Sequence, residues 1–318
     1  MWNITKKTIS LGGIEIKTPV FVLPTRNLTT PHLTGDVLRR VLRPESVIIE
    51  VYAEELLENP RMAAICPLGI HEFMHLQNYA VMLGSKLWKT GLITGHLPDL
   101  ENHGLPRIMV ENKTGRIPLE MPKLDEISMR FKPDILVTPS AYDAYQPSVN
   151  LSKKTLLRCE KNTKIIDASL KFLPRTKYIE VSRQATESDI ITCNEPLKEK
   201  IESCVYLRKR IDLEEMKKLL KEGLHQIYNA GVAIDLAEEG KAIMPDGSVL
   251  DLKDKTLEND PTILCPGCKC VSCTENEMGF QKGAIHHYIV VEEMLAQVLL
   301  TAHNLHQLVL LFKSYHQH

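Results

Sequence analysis

The chain has 318 residues, 43% of them hydrophobic, enough to bury a full core as one large domain or two medium ones. Its 39 Lys and Arg stand against 40 Asp and Glu, so global charge gives no nucleic-acid affinity and any such binding must come from a local patch. No uninterrupted apolar run approaches the ~20 residues that span a bilayer, and the opening MWNITKKTIS has no apolar leader, so a cytoplasmic location is expected, where disulfides do not persist.

In chain order, ISLGGIEIKTP, with Gly12-Gly13 between two short apolar runs, predicts a hairpin capping one end of the fold. Eight short apolar or β-branched runs then read as strands: 18–24, 46–52, 91–96, 134–139, 177–182, 189–194, 203–209 and 224–229. Helical patterns lie between several of them: 34–43 with Thr34 as N-cap, 69–86, and a helix capped by Asp212 that closes on Gly223. Strands separated by helices argue for parallel pairing, hence an α/β fold with a (β/α)8 TIM barrel as the preferred form. The stretches 182–189 and 194–203 are too short for full crossover helices, so the barrel is expected to be irregular. This barrel domain is assigned to residues 1–262.

After residue 245 the text changes, with a turn signal at Asp246-Gly247, a charged run, and then a small unit at 263–318 built on cysteines. Cys268, Cys270 and Cys273 form C-x-C-x2-C, short enough for three thiolates to meet on one ion, and an imidazole from a following helix would complete a tetrahedron. Such a closed set points to one structural zinc, with Cys265 as a substitute thiolate and His286, His287 or His303 as the imidazole. The scattered Cys66, Cys159, Cys193 and Cys204 read as small buried residues. From Ala284 to Phe312, apolar residues including Ile285, Leu295, Leu299, Leu305 and Phe312 recur at helical spacing. Such a stripe serves a core or a subunit interface.

TPVFVLPTRNLTTPHLTGDVL near the start, and the combination of C-x-C-x2-C, IHHY (285–288) and LLTAHN (299–304) near the end, resemble the tRNA-guanine transglycosylase family. TPHLT (30–34) resembles its non-catalytic subunits in particular. The resemblance implies a zinc held by Cys268, Cys270, Cys273 and His303, and a heterodimer with a catalytic queuine tRNA-ribosyltransferase subunit, meeting tRNA through the complex. It also extends the location to peripheral association with the mitochondrial outer membrane.

Family members that catalyse use one carboxylate as nucleophile on the ribose and a second to handle protons on the bases, the latter preceding Ser-Gly-Gly-Phe after a strand. In GLITGHLPDL Gly95 falls at the proton-handling position, and Tyr228 or Asn229, depending on the direction of counting, falls at the nucleophile. No catalytic residue is therefore assigned, and the chain reads as a pseudoenzyme subunit. Asp99, Glu195 and Asp235 are the carboxylates a shifted register would use. Arg208, Lys209 and Arg210, Lys217, Lys218 and Lys221, and Arg39, Arg40 and Arg43 are local basic groups that would track phosphates.

Overall fold

A computed structural model describes residues 8–11, 13–57, 69–85, 107–112, 115–137, 177–181, 203–207, 211–223, 227–274 and 279–316, with four isolated positions between 153 and 161. The hairpin expected near the start is present: β1 (Thr8–Leu11) pairs antiparallel with β2 (Ile14–Lys17), and Gly13 sits at φ +85, which only glycine adopts freely.

Among the described residues, seven parallel strands form a closed ring: β3 (Val20–Pro24), β4 (Val47–Tyr52), β5 (Ala80–Gly84), β8 (Ile135–Val137), β9 (Lys177–Val181), β10 (Ser203–Leu207) and β11 (Ile227–Asn229). Each pairs in parallel with the next ring strand along the chain, and β11 returns to β3. Where their side chains are described, these strands are almost wholly buried, because one face fills the ring and the other lies under helices. Inside the ring, Val20, Val22, Ile48, Ala80, Met82, Ile135, Val137, Tyr206 and Ile227 pack together; outside it, Phe21, Leu23, Val47 and Ile49 meet the helices. β6 (Arg107–Asn112) and β7 (Gly115–Glu120) form a separate hairpin.

Around the ring lie α1 (Gly35–Val41), α2 (Ala53–Leu57), α3 (Ile70–Phe73), α4 (Met121–Phe131), α5 (Leu213–Glu222) and α6 (Gly231–Glu238). Asp212 caps α5 by accepting from the Glu215 amide, and Gly223 ends it at φ +71, as the sequence predicts. Thr34 occupies the N-cap of α1 in an extended conformation. Three expectations are corrected or narrowed. The helix read over 69–86 is only α3; His75 turns the chain at φ +54, and 80–84 is the third ring strand, its five residues all buried. The strands expected at 91–96 and 189–194 lie outside the described residues. The single helix read over 284–312 is two, α8 (Lys282–Val290) and α9 (Met294–His316), broken where Glu292 adopts φ +57.

The C-terminal part adds the β12 (Lys241–Ile243) and β13 (Val249–Asp251) hairpin, turned at Asp246-Gly247, and the short α7 (Val271–Thr274). Among the described residues α9 is the one helix long and apolar enough to cross a membrane, but 67% of that window is buried in the fold. Its Leu305, Leu308, Val309 and Phe312 belong to the outer barrel core, while Leu299 and Leu300 belong to the cluster around the cysteines.

Candidate metal centre

The cysteine segment folds through two tight turns. The Cys268 amide donates to the Cys265 carbonyl at 3.2 Å, with Gly267 at φ +80, and the Cys270 carbonyl accepts from the amides of Cys273 and Thr274, starting α7. Ser272 ties this knuckle to α9 by donating to the Leu299 carbonyl at 2.7 Å. His303, fully buried on α9, brings Nδ1 to 3.9 Å from Cys268 Sγ, 3.5 Å from Cys270 Sγ and 3.6 Å from Cys273 Sγ. All four ligand atoms lie within 4.8 Å of one another, an arrangement able to hold a metal ion.

The imidazole is preset for that task. His303 Nε2 donates to the Ile243 carbonyl at 2.8 Å, so the hydrogen sits there and Nδ1 turns its lone pair toward the sulfurs. The neighbouring Asn304 fixes the same strand, accepting from the Ile243 amide and donating to the carbonyls of Ala233 and Lys241. The three thiols lie close enough to share protons. Cys270 and Cys273 donate to Cys268 and pull its pKa down; the same contact with Cys268 pushes Cys270 up to about 12 and raises Cys273 as well. A cation replaces those protons, so its binding releases them.

The substitute ligands are placed elsewhere. Cys265 is buried but outside the four-membered group, His286 Nδ1 bonds the Leu252 carbonyl at 2.8 Å, and His287 is exposed. Of the catalytic positions, Gly95, Asp99 and Glu195 lie outside the described residues. Tyr228 points out of the ring, its hydroxyl on the Leu219 carbonyl and its ring edge-on to Phe312; Asn229 has the opposite parity, and its side chain accepts from the Gly231 amide. Asp235 lies on α6. Arg208, Lys209 and Arg210 are outside the described residues, while Lys217 is engaged by Glu214 and the Gly247 carbonyl.

One buried group escaped the sequence reading. Glu50, fully buried on β4, accepts from the hydroxyls of Tyr52 and Tyr206, each at 3.1 Å. Gly84 on the adjacent strand makes room for it: a Cβ there would lie 2.7 Å from the carboxylate. The signal was available, since an acidic residue inside the otherwise apolar VIIEVY run of a fully buried strand needs polar partners.

The parallel ring, with a Cys3His cluster in the C-terminal part of the chain, is the frame in which the comparisons fall. A family profile described as queuine tRNA-ribosyltransferase matches residues 227–318, from the last ring strand through α9. The chain is 22% identical to queuine tRNA-ribosyltransferase accessory subunit 2 of Anopheles gambiae, covering 97% of this chain and 82% of that one. It is also 22% identical to the accessory subunit 2 of Caenorhabditis elegans, covering 98% and 96%. A queuine tRNA-ribosyltransferase of Synechococcus is 32% identical over 30% of this chain and 24% of its own. The resemblance to the tRNA-guanine transglycosylase family is thus borne out. Within it, the relatives matched over nearly the whole chain carry the accessory subunit 2 name.

Proposed function

We propose that the chain is the non-catalytic accessory subunit of a heterodimeric queuine tRNA-ribosyltransferase, supporting exchange of guanine for queuine at the tRNA wobble position. The observation that carries this reading is the near-full-length similarity to proteins named as that subunit in two animals. A divergent active transglycosylase and an interaction protein without a tRNA role are not favoured beside it. The ring is read as an irregular (β/α)8 barrel at 1–262 with a metal unit at 263–318, supported by the sequential parallel order of its strands.

The metal is read as zinc. A tetrahedral zinc with bonds of about 2.3 Å to sulfur and about 2.05 Å to nitrogen separates sulfur from nitrogen by about 3.6 Å, against 3.9, 3.5 and 3.6 Å here. Its place is structural: four protein ligands leave no open position for water or substrate.

Pairing is assigned to the α8–α9 corner. Leu299 and Leu305, expected to offer apolar surface, are buried against their own chain, whereas Val290, Val291, Met294 and Leu295 are exposed on either side of the exposed Glu292 and Glu293, Met294 at 77%. A desolvated centre of this kind suits a subunit contact better than charge pairing does. The test is co-purification with a catalytic transglycosylase subunit, followed by guanine exchange assays of each protein alone and of both together. Exchange only by the pair, lost in Met294→Glu with its fold intact, supports the reading; a monomer that leaves the partner's activity unchanged rejects it.

A further inference from the structure

Three thiolates, one neutral imidazole and a divalent cation leave one net negative charge in a buried site, and such a charge requires nearby donors. Among the described residues the three sulfurs are not equally supplied. Cys268 Sγ receives the Cys270 backbone amide at 3.5 Å and the Gln307 side-chain amide at 3.4 Å, while neither Cys270 Sγ nor Cys273 Sγ receives an amide. The His306 imidazole also adjoins Cys268. Gln307 is 5% exposed and stands one helical turn beyond His303 on α9, so the turn that presents the nitrogen ligand also presents the donor. An amide can turn either end toward a neighbour; a thiolate accepts only the NH2 end.

We infer that Gln307 is a positioning residue of the metal centre: its carboxamide donates to the Cys268 thiolate, spreads the surplus negative charge and holds that sulfur on the cation. The inference rests on reading the cluster as a thiolate metal centre. Its consequence is an ordered set of sulfurs, with Cys268 the least basic and Cys270 and Cys273 the first to meet an electrophile.

The experiment compares the full chain with Gln307→Met, of equal length without a donor, and Gln307→Glu, of equal shape with a like charge. Zinc affinity is read by competition with a chromophoric chelator, and the thiolate-to-metal charge-transfer band is read after loading with Co2+. Loss of the donor is expected to raise the zinc Kd about tenfold in Gln307→Met, the lower end for an outer hydrogen-bond partner, and to move the charge-transfer band to longer wavelength. Gln307→Glu is expected to bind more weakly still, with its deficit relative to wild type shrinking as acid converts the carboxylate into a donor. A merely packed side chain would show no such pH dependence. Kd values within about twofold of wild type in both variants, with an unmoved band, overturn the inference; if Gln307→Met fails to fold, the Gln307→Glu pH series decides alone. Wild-type protein that binds neither metal overturns the metal-centre reading together with it, whereas tight wild-type binding with unaffected variants overturns this inference only.

Discussion

The ring interior and the C-terminal unit both bury polar groups, and they satisfy them by opposite means. Inside the ring the Glu50 carboxylate receives two tyrosine hydroxyls from the chain itself. In the C-terminal unit three thiols and an imidazole converge, their ligand atoms within 4.8 Å of one another. Phenols of the same chain serve the first group, while the second is arranged to hold a cation, so one region draws its partners from the polypeptide and the other is suited to draw its partner from solution.

Metal removal is the strongest challenge to this contrast. Binding of structural zinc by comparable sites is worth about 10–16 kcal/mol at neutral pH, so a chelator, or Cys270→Ala with Cys273→Ala, should abolish metal content and unfold the knuckle. Hydrogen exchange followed by mass spectrometry should show protection lost first at 264–274; full zinc occupancy in the double variant would falsify the ligand assignment. Apparent affinity should also fall with acid, because Cys270, held up to about 12, and Cys273, also raised, must lose protons to bind.

A smaller effect separates the two faces of α9. Leu305→Ala should destabilise the chain by about 2–5 kcal/mol, since Leu305 is fully buried, whereas Leu295→Glu should leave monomer stability within about 0.5 kcal/mol. Urea denaturation of each monomer checks both. Next comes Glu50→Ala, which takes from two buried hydroxyls an acceptor they share, a loss of about 1–3 kcal/mol by the same measurement. Stability equal to wild type would show that the carboxylate is not what organises the ring interior.

The least effect is expected at Arg26, whose guanidinium bonds Glu238 together with His32. The Arg26 hydrogen bond holds Glu238 below the usual carboxylate range, so its contribution is present above the unfolded pKa and fades as pH falls through the lowered one. Arg26→Ala should therefore cost at most about 1 kcal/mol at neutral pH, because the pair is partly exposed, and less in acid. A thermal melt at the two pH values checks the sign.

The contrast also explains what could be read from the chain. The three thiol ligands fall within six residues, 268–273, and the tight turns between them follow from that spacing, so the half-site was visible at once. The choice of His303 over His286 and His287 came from the family resemblance alone, because spacing does not show that Ile243 and Leu252 supply carbonyls to different imidazoles. In the ring, β3, β4 and β10 stood out as apolar runs, but YAVMLG was absorbed into a helix because the preceding GIHEFMHL has helical spacing and the turn at His75 has no glycine to announce it. Glu50, Gly84 and Tyr206 come from three strands far apart in sequence and meet only when the ring closes.

That closure has its own lock. Phe312 packs edge-on against Phe21 of β3 at 5.4 Å and Tyr228 of β11 at 5.6 Å, the two strands that join the start of the ring to its end, and His316 Nε2 donates to the Pro19 carbonyl. The clasp over the seam is thus made of residues nearly three hundred positions after the strand it grips. Until α9 has been made, the strands wait as an unclasped sheet, with the greasy backs of β3 and β11 uncovered. Closing the seam and bringing His303 to the three cysteines both wait on α9, so a nascent protein stalled just short of residue 303 would present to the cell's quality-control machinery a barrel with its door open.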